Sequence, residues 1–327
     1  MQSRTNCWKR HEGRSNREER GMRESGTATG GGNQHPVLAR LADDIDRTRQ
    51  AAESALAVVF DAGAIVGYGG RSVVFLARDS VLKIYTHRPA ERARREIAGL
   101  SAAGHAGGLR IPQVLGSECI EGALAWVVST ALEGSAPGHV QDAAETRMLG
   151  QVAARLHAMP TTALAGLEPF RRNIRAIDRD PHPQRAQLSA VLVGLEVEQL
   201  TRCDVCFVDG DLSSRNLLIA PGLPPAVVDF EGCGLGCGYE DLTNLYVQDC
   251  LIGGRDAAVA LAGYREERQL LGSGGPIDAR HLLFHTARYF RWVLQWAPEI
   301  DAELAQQVCV LTPRVLDALS AEGPVPL

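Results

Sequence analysis

Two short apolar runs in this sequence end in acidic residues, and this pattern constrains the fold most strongly. Residues 206–208 lead into Asp209 and Asp211, and residues 226–228 lead into Asp229. Short apolar runs bounded by turn residues are typical of buried strands. Turn chemistry alone can account for Asp between strands, but a carboxylate that recurs directly after a hydrophobic strand favours a functional cluster. The pattern predicts that the strands deliver carboxylates to one site.

The composition is that of a globular chain with a polar N-terminal segment. With 327 residues, 45% of them hydrophobic, the chain can bury a sizeable core as one large or two coupled domains. Residues 1–36 lack periodic apolar residues, and we predict a disordered tail there, with a start at Met22 as an alternative. This tail has no apolar signal region and contains four Glu residues, which argues against a secretory or transit peptide. We therefore expect a cytoplasmic protein.

Charge and apolar run length exclude two classes of partner. The formal net charge is −5, and the tail holds seven basic and four acidic residues, so the rest of the chain is more acidic still. This balance disfavours binding to a phosphate backbone. The longest apolar runs fall far short of the roughly 18 residues that a membrane-spanning helix needs. We expect a small-molecule partner, with no nucleic acid and no membrane.

The first half of the chain alternates between helical and strand patterns. The predicted elements are a helix at 37–60, strands within 64–77 and at 81–85, a helix at 90–102, a strand at 123–131 and a helix at 144–159. Glycines form the first turn between strands, at Gly67, Gly69 and Gly70. This order predicts a small sheet followed by a mainly helical region.

Lysine usage singles out one position. Lys9 and Lys83 are the two lysines among 34 basic residues, and Lys83 lies inside the apolar strand 81–85. Lys carries a compact charge on a slim stem, whereas Arg is a wide planar fork, so a narrow site facing a phosphate favours Lys. The alternative is a chance lysine that extends to solvent. A buried ammonium needs a carboxylate, and Glu96 is a better candidate than Glu91 because its apolar neighbours place it on the core side of the helix.

These features together resemble the aminoglycoside phosphotransferase family of small-molecule kinases. The shared pattern comprises, in order, the glycine turn, Lys83, Glu96, Asp211-x-x-x-x-Asn216, Val227-Val228-Asp229-Phe230-Glu231 and Gly236-x-Gly238-x-x-Asp241-Leu242. It covers about residues 60–245, and it is specific in combination. The resemblance implies an α+β architecture, the bilobal protein-kinase-like fold. A small β-rich N-lobe would span residues 37–131 and a larger, mainly helical C-lobe residues 132–327.

The resemblance also implies a reaction, the Mg²⁺-dependent transfer of the γ-phosphate of ATP, or of GTP, to a hydroxyl of a small molecule. An aminoglycoside-like or other antibiotic is one expected acceptor. The alternatives are a metabolic or biosynthetic small-molecule kinase and a catalytically weakened nucleotide-binding regulator. The implied site residues are Asp211 for catalysis, Asn216 and Asp229 for Mg²⁺, and Gly67, Gly69, Gly70, Lys83, Glu96, Thr130 and Leu132 for the nucleotide.

Two positions depart from the family pattern. Asp209 stands where the family usually has a histidine that braces the catalytic loop, and Cys237 stands where it usually has an aspartate. An ionised carboxylate accepts hydrogen bonds but cannot donate them, and it adds negative charge near a magnesium site. We expect Asp209 to raise the pKa of a neighbouring carboxylate or to pair with Arg215. Cys237 is expected to be structural.

The eight cysteines are expected to be reduced, because the chain shows no export signal. The pairs Cys203-x-x-Cys206 and Cys233-x-x-x-Cys237 have spacings at which cysteines can hold zinc. We favour small buried thiols instead, because the second pair is glycine-rich and both pairs flank the kinase-like motif. A zinc-binding interaction protein is the remaining alternative.

The acceptor pocket is the part that the sequence constrains least. Residues 165–200 and predicted helices at 279–296 and 302–319 should wall it, and His157 is expected to be a structural histidine. Surface acids usually serve only solvation. The candidate acids for a polyamine-like acceptor are Asp249, Glu266, Glu267, Glu299 and Asp301.

Overall fold

A sheet-rich part comes first in the chain and a mainly helical part follows it. The computed structural model describes residues 36–61, 63–66, 71–119, 124–138, 142–171, 182–200, 203–273 and 276–320. The predicted tail lies outside these residues, apart from Pro36, which begins the first helix.

Five antiparallel strands and two helices form the sheet-rich part. The helices are α1 (Pro36–Leu56) and α2 (Pro89–Ala103). The strands are β1 (Ala64–Val66), β2 (Ser72–Leu76), β3 (Ser80–Tyr85), β4 (Val114–Glu118) and β5 (Ala125–Thr130). They pair in the order β1-β2-β3-β5-β4, so the lysine-bearing strand β3 is central.

Alternation along β3 determines which way its lysine points. Leu82 and Ile84 pack in the apolar cluster under α1, whereas Tyr85 belongs to a second cluster with Ala93 of α2. Successive side chains of a strand point to opposite faces, so Lys83 shares the α2 face with Tyr85. The register pairs Lys83 with a valine on each neighbouring strand, which fixes its position.

The helical part contains two hydrophobic cores and two small two-stranded sheets. Its helices are α3 (Ala143–His157), α4 (Pro183–Leu200), α5 (Tyr239–Asn244), a π-helix (Leu245–Ile252), α6 (Ala257–Leu270), α7 (Ala279–Ile300) and α8 (Ala302–Ser320). One sheet pairs β6 (Val205–Val208) with β9 (Gly234–Cys237), and the other is the hairpin of β7 (Leu217–Leu218) and β8 (Ala226–Val227), which lies between β6 and β9 in the sequence. One core joins α3 and α6 to these sheets, and the other lies among α4, α7 and α8. Among the described helices, none combines the length and the apolar character needed to cross a bilayer.

The predicted elements are present with shifted ends. The first helix was predicted to residue 60 but ends at Leu56, and Phe60 is buried in the sheet core instead. Tyr289 and Phe290 are buried in the core among α4, α7 and α8. The π-helix was not predicted, because an apolar pattern alone does not distinguish a widened turn from an α-helix.

Candidate active site

Lys83 lies among three carboxylates where the sheet meets the β7–β8 hairpin. Its Nζ is 2.6 Å from Asp229 Oδ1, 2.9 Å from Glu231 Oε2 and 3.5 Å from Glu96 Oε2. Glu96 is buried on α2, and Arg92 of the same helix pairs with Glu231. The structure therefore places Lys83 beside Glu96, as the sequence predicts, and brings Asp229 to the same ammonium.

Burial and charge oppose each other in this cluster. Burial lowers the pKa of Lys83, but Asp229, Glu231 and Glu96 outweigh burial and raise that pKa well above its usual value. Burial raises the pKa of Glu96 to about 7, against the opposing effect of Lys83. Burial also acts to raise the pKa of Glu231, yet Lys83 and Arg92 hold it below the usual value. When ionised, Glu96, Asp229 and Glu231 carry three negative charges, and Lys83 and Arg92 supply two positive charges beside them. A metal cation can balance the excess negative charge.

The turn after β6 is held by hydrogen bonds to Asp241. Asp241 Oδ2 and Oδ1 accept from the backbone N–H groups of Asp209 and Gly210, each at 2.8 Å. Gly210 has φ +88°, and a Cβ there would lie 2.6 Å from the carbonyl oxygen of Gly232, so a glycine is required. Buried His157 has Nε2 3.2 Å from Asp241 Oδ2, which agrees with a structural role for this histidine.

Asn216 joins the loop after β6 to the strand that precedes Asp229. Its side-chain Nδ2 donates to the carbonyl oxygen of Asp211 at 3.0 Å. The backbone N–H of Val228, one residue before Asp229, donates to the carbonyl oxygen of Asn216 at 3.0 Å. Because the amide nitrogen is turned toward Asp211, the amide oxygen is the atom that can serve as a metal ligand.

The carboxylate of Asp211 is the accessible acid of the loop, with 53% of its side chain exposed. Gln248 Nε2 lies 3.4 Å from Asp211 Oδ1 and 3.2 Å from Tyr289 Oη, so Gln248 links the carboxylate to α7. Desolvation by the surrounding protein raises the pKa of Asp211, and the Arg215 guanidinium opposes this rise. Asn216 Nδ2 also lies 3.4 Å from Asp211 Oδ2, so the protein contacts both oxygens of a carboxylate that is open to solvent.

Asp209 differs from the expectation of an ionised residue. It is fully buried, Oδ1 accepts from the N–H of Asp211 at 3.0 Å, and Oδ2 has no hydrogen-bond partner among the described residues. Burial and the nearby Asp241 carboxylate raise the pKa of Asp209 well above its usual value. Both effects favour the neutral carboxyl form, which can donate a hydrogen bond. Arg215 contacts Gln248 and lies 4.0 Å from Asp211, so the expected pairing of Asp209 with Arg215 is wrong.

Replacing Asp209 by Asn should stabilise the protein increasingly as the pH rises. Folding raises the pKa of Asp209, so above about pH 4 the folded state retains a proton that the unfolded chain loses. The free energy of unfolding of the wild type therefore falls as the pH rises from about 4 through the pKa of the folded state. Asn is neutral at every pH and keeps the acceptor for the Asp211 N–H. We expect a Tm gain of about 2–4 °C at pH 8 and little gain at pH 4.

The matched control for this prediction is Asp79→Asn, since the Asp79 side chain is 80% exposed and should show no such pH-dependent gain. Thermal unfolding of wild type and both variants between pH 4 and pH 8, followed by circular dichroism, measures the effect. An Asp209→Asn variant that is less stable than wild type at pH 8 would mean that the native carboxyl is ionised.

Residues 131–135, which we call the hinge, connect β5 to the β7–β8 hairpin and include Leu132, one of the residues expected to bind the nucleotide. Thr130 ends β5, and Leu132 packs against the apolar cluster of that hairpin. Ser135 and Ile219 exchange backbone hydrogen bonds of 2.9 and 2.8 Å. Gly134, just before Ser135, has φ +138°, and a Cβ there would lie 2.9 Å from the carbonyl oxygen of Ile219. This position of the hinge therefore requires glycine. The glycines predicted above the phosphates, Gly67, Gly69 and Gly70, lie outside the described residues.

Most of the acids considered for the acceptor have partners within the protein. Asp249 accepts a hydrogen bond from the Ser214 N–H, and Asp301 accepts one from the Leu304 N–H. Glu266 pairs with Arg147, and Glu267 pairs with Arg155. The side chain of Glu299 lies outside the described side chains. The four partnered acids therefore stabilise helices and loops, and Asp249 holds the loop that follows Asp211 through the Ser214 N–H.

Two cysteines correct the expectation that all of the cysteines are reduced thiols. Cys203 and Cys237 form a disulfide with Cα atoms 5.4 Å apart, because the pairing of β6 with β9 brings them together. Cys206 and Cys233 are free thiols, and the Cys233 thiol is buried against the carbonyl oxygen of Arg95. The four-cysteine zinc group considered from the sequence is not formed.

Sequence reasoning left three contacts of the site unassigned. Glu231 had been part of the quoted motif without a role, yet it lies 2.9 Å from the Lys83 ammonium. Arg92 and Gln248, which hold Glu231 and Asp211, were not singled out. A second acid two residues after Asp229 is the available signal; the other two contacts come from distant helices and leave no local signal.

Comparisons with known proteins agree with this geometry. The model of the phosphotransferase enzyme family matches residues 66–276, which is more than half of the chain. Comparison with curated protein sequences finds no match.

Several solved structures share the fold at low identity. The GDP and kanamycin complex of APH(2")-IIia has 17% identity and a TM-score of 0.59, over 82% of this chain and 98% of that one. A microcompartment-associated aminopropanol kinase has 17% identity and a TM-score of 0.58, over 84% and 96%. A choline/ethanolamine kinase family protein from Mesorhizobium loti has 15% identity and a TM-score of 0.55, over 84% and 95%.

The chain belongs to the phosphotransferase enzyme family, and the resemblance found in the sequence is confirmed. It has the α+β, bilobal protein-kinase-like fold of small-molecule kinases, as predicted.

Proposed function

We propose that this protein is a Mg²⁺-dependent kinase that transfers the γ-phosphate of ATP or GTP to a hydroxyl of a small molecule. The observation that carries the proposal is the meeting of Glu96 and Asp229, from separate segments, within 3.5 Å of the one ammonium of Lys83. The similar structure named for its GDP and kanamycin complex supports a nucleotide and a small-molecule acceptor.

The donor set fits a magnesium ion. Mg²⁺ prefers oxygen ligands such as carboxylates, and Asp229 and the amide oxygen of Asn216 would hold it. Asp229 has φ +71°, an uncommon backbone conformation for a residue other than glycine, and such positions often occur at functional sites. When bound, Mg²⁺ would neutralise charge on the phosphate oxygens.

The remaining residues have tasks that follow from their contacts. Lys83 would leave its contact with Asp229 and hold the α- and β-phosphates, while Glu96 and Glu231 keep its ammonium in place. Asp211 would orient the acceptor hydroxyl and accept its proton as the oxygen bonds to the γ-phosphorus and the bond from that phosphorus to the leaving ADP or GDP breaks. Gln248 would hold the Asp211 carboxylate in position.

The hinge and the glycine turn complete the nucleotide site in this proposal. The backbone around Thr130 and Leu132 would bind the base, and the turn with Gly67, Gly69 and Gly70 would cover the phosphates. The lobe boundary at residues 131–132 is part of the same proposal, supported by the end of β5 at Thr130. The cytoplasmic location is also part of this proposal, because ATP and GTP are abundant in the cytoplasm.

The acceptor class is a hydroxylated small molecule, either an antibiotic or a metabolic intermediate such as an amino alcohol. The aminopropanol kinase among the similar structures supports inclusion of amino alcohols in any test. A nucleotide-binding regulator is the competing function. The intact set of Lys83, Glu96, Asp211, Asn216 and Asp229 favours the kinase over the regulator.

The test is release of ADP or GDP with magnesium and either nucleotide across a panel of aminoglycosides, other hydroxylated antibiotics, amino alcohols and sugars. We expect acceptor-dependent release by wild type and none by Asp211→Asn. Nucleotide binding without release for any acceptor would support the regulator and contradict the kinase.

A lysine-directed acyl-phosphate derivative of ATP should modify Lys83, and excess ATP should protect it. Lys83 lies at the proposed phosphate position, so the bound derivative would hold its acyl group beside this side chain, which reacts once it has lost a proton and displaces the nucleoside phosphate. The only other lysine is Lys9. Peptide mass spectrometry would measure both sites, with Lys9 as the internal control that ATP should not protect. Labelling of Lys83 that is indifferent to ATP would remove it from the nucleotide site.

A further inference from the structure

Two cysteines and two histidines lie together at the end of the β6–β9 sheet, and none of them belongs to the Lys83 cluster. One ligand atom from each of Cys203, Cys237, His281 and His285 can be chosen so that all four lie within 4.8 Å of one another. Cys203 Sγ is 3.2 Å from His281 Nε2. With Zn–S bonds of about 2.3 Å and Zn–N bonds of about 2.0 Å, tetrahedral ligand atoms lie about 3.3–3.8 Å apart. The group therefore has the size of a zinc site.

Secondary structure presents these four side chains in a fixed way. His281 and His285 are four residues apart on α7, so both imidazoles lie on one face of that helix. Cys237 ends β9 and pairs in register with Val205, two residues after Cys203. Helix α7 contributes two ligands and the β6–β9 sheet contributes the other two. Regular elements thus fix the positions of all four side chains, as in a preformed site.

Neighbouring side chains orient the imidazoles. Glu240 is buried, and its Oε1 lies 3.0 Å from His285 Nδ1, which leaves Nε2 as the nitrogen for a metal. A carboxylate on the second nitrogen of a metal-binding histidine is a recurring arrangement that fixes the ring. Tyr239 stacks on the His281 ring at 4.3 Å and lies 5.9 Å from the His285 ring. Both histidines are at most 2% exposed, so their environment is dry.

We propose that Cys203, Cys237, His281 and His285 form a structural zinc site when the two cysteines are reduced. Two thiolates and two imidazoles in a tetrahedral arrangement select zinc among the common divalent ions. The protein supplies four ligands and leaves no open position for water, which is the mark of a structural site. The sequence pointed to paired cysteines, but the structure replaces Cys206 and Cys233 by two histidines.

The disulfide and the zinc complex are two forms of the same pair of cysteines. A phosphine reductant and one water convert the disulfide into two thiols and a phosphine oxide. Zinc binding then displaces the two thiol protons. If the kinase acts in the cytoplasm as proposed above, thiols are kept reduced there, and paired cysteines beside histidines are more often metal ligands than disulfides.

The position of the site gives it a mechanical consequence. Cys203 lies just before β6, the strand that leads into Asp209 and Asp211, and α7 carries the two histidines. A zinc ion would therefore connect the β6–β9 sheet to α7 and so to the core among α4, α7 and α8. Its loss should loosen the segment before the catalytic loop without removing any residue of the Lys83 cluster.

The first experiment measures metal content and makes no use of kinase activity. Full-length protein is reduced with a phosphine, exposed to Zn²⁺, desalted and analysed by inductively coupled plasma mass spectrometry. We expect about one zinc per chain, and at least a roughly tenfold lower content in His281→Ala and in His285→Ala. Cys206→Ser is the matched control and should keep the zinc, because this thiol lies outside the group of four.

The second experiment identifies the ligands and guards against variants that fail to fold. Co²⁺ in place of Zn²⁺ should give the visible bands of a tetrahedral site and the near-ultraviolet bands of thiolate ligation, and Cys237→Ser should weaken the latter. Glu240→Gln retains all four ligands and should bind zinc about 10- to 100-fold more weakly. Reduced wild type that takes up no zinc, or a folded His281→Ala/His285→Ala variant that retains it, would overturn the proposal.

Discussion

Asp211→Asn should lower turnover by about 10²–10⁴-fold, the usual contribution of a positioned general base. The amide has the same shape as the carboxylate but cannot accept the proton of the acceptor hydroxyl. The stronger hydrogen bond of the Asn216 side chain, at 3.0 Å, goes to the backbone oxygen of Asp211 and is kept, and the longer contact with Oδ2, at 3.4 Å, can be kept by the amide oxygen of Asn. Nucleotide binding should therefore be nearly unchanged, because Lys83 and Asp229 are untouched.

Steady-state kinetics with an acceptor from the panel and calorimetric titration of nucleotide separate the two effects. Asp204→Asn is the matched control, since Asp204 is exposed just before β6 and should leave both quantities unchanged. If Asp211→Asn lost nucleotide affinity in proportion to turnover, Asp211 would be acting as part of the metal site and the assignment as base would be wrong.

The sequence was sufficient for the parts of the site that depend on residue type and local context. Lys83 stood out because a lysine inside an apolar strand needs a partner, and the structure provides Glu96 at 3.5 Å. Asp229 was recognisable because it follows a buried strand directly. The small sheet and the mainly helical part followed from apolar periodicity, with errors of a few residues at element ends.

Other parts depend on burial and on contacts between distant segments, which local patterns do not encode. Asp209 was expected to be ionised, yet full burial next to Asp241 raises its pKa and favours the neutral form. Cys203 was grouped with its sequence neighbour Cys206, whereas β-pairing places it beside Cys237 and α7 adds His281. In both cases the tertiary environment changes the chemistry of a residue whose type alone suggested something else.

Lys83→Met should abolish nucleotide-dependent turnover and also destabilise the protein by about 3–5 kcal/mol at neutral pH, as loss of one partner from a buried ion pair does. The Lys83 side chain is 12% exposed and compensates Glu96, Asp229 and Glu231. Without the ammonium, these carboxylates repel one another in a poorly hydrated place. Lys83 acts to lower the pKa values of Glu96 and Glu231, so its removal raises both. Protonation of these two groups at lower pH should relieve the repulsion, and the loss of stability should shrink as the pH falls from 8 to 5.

A double variant separates the structural contribution of Lys83 from its catalytic one. Glu96→Gln removes the carboxylate whose pKa is already raised to about 7, so adding it to Lys83→Met should recover part of the lost stability at pH 8. Activity should not return, because an uncharged methionine cannot hold phosphates. Urea unfolding of the wild type, both single variants and the double variant gives the coupling energy between the two positions. Additive effects would show that Lys83 and Glu96 do not interact in the folded state, whereas the ion cluster described above requires them to be coupled.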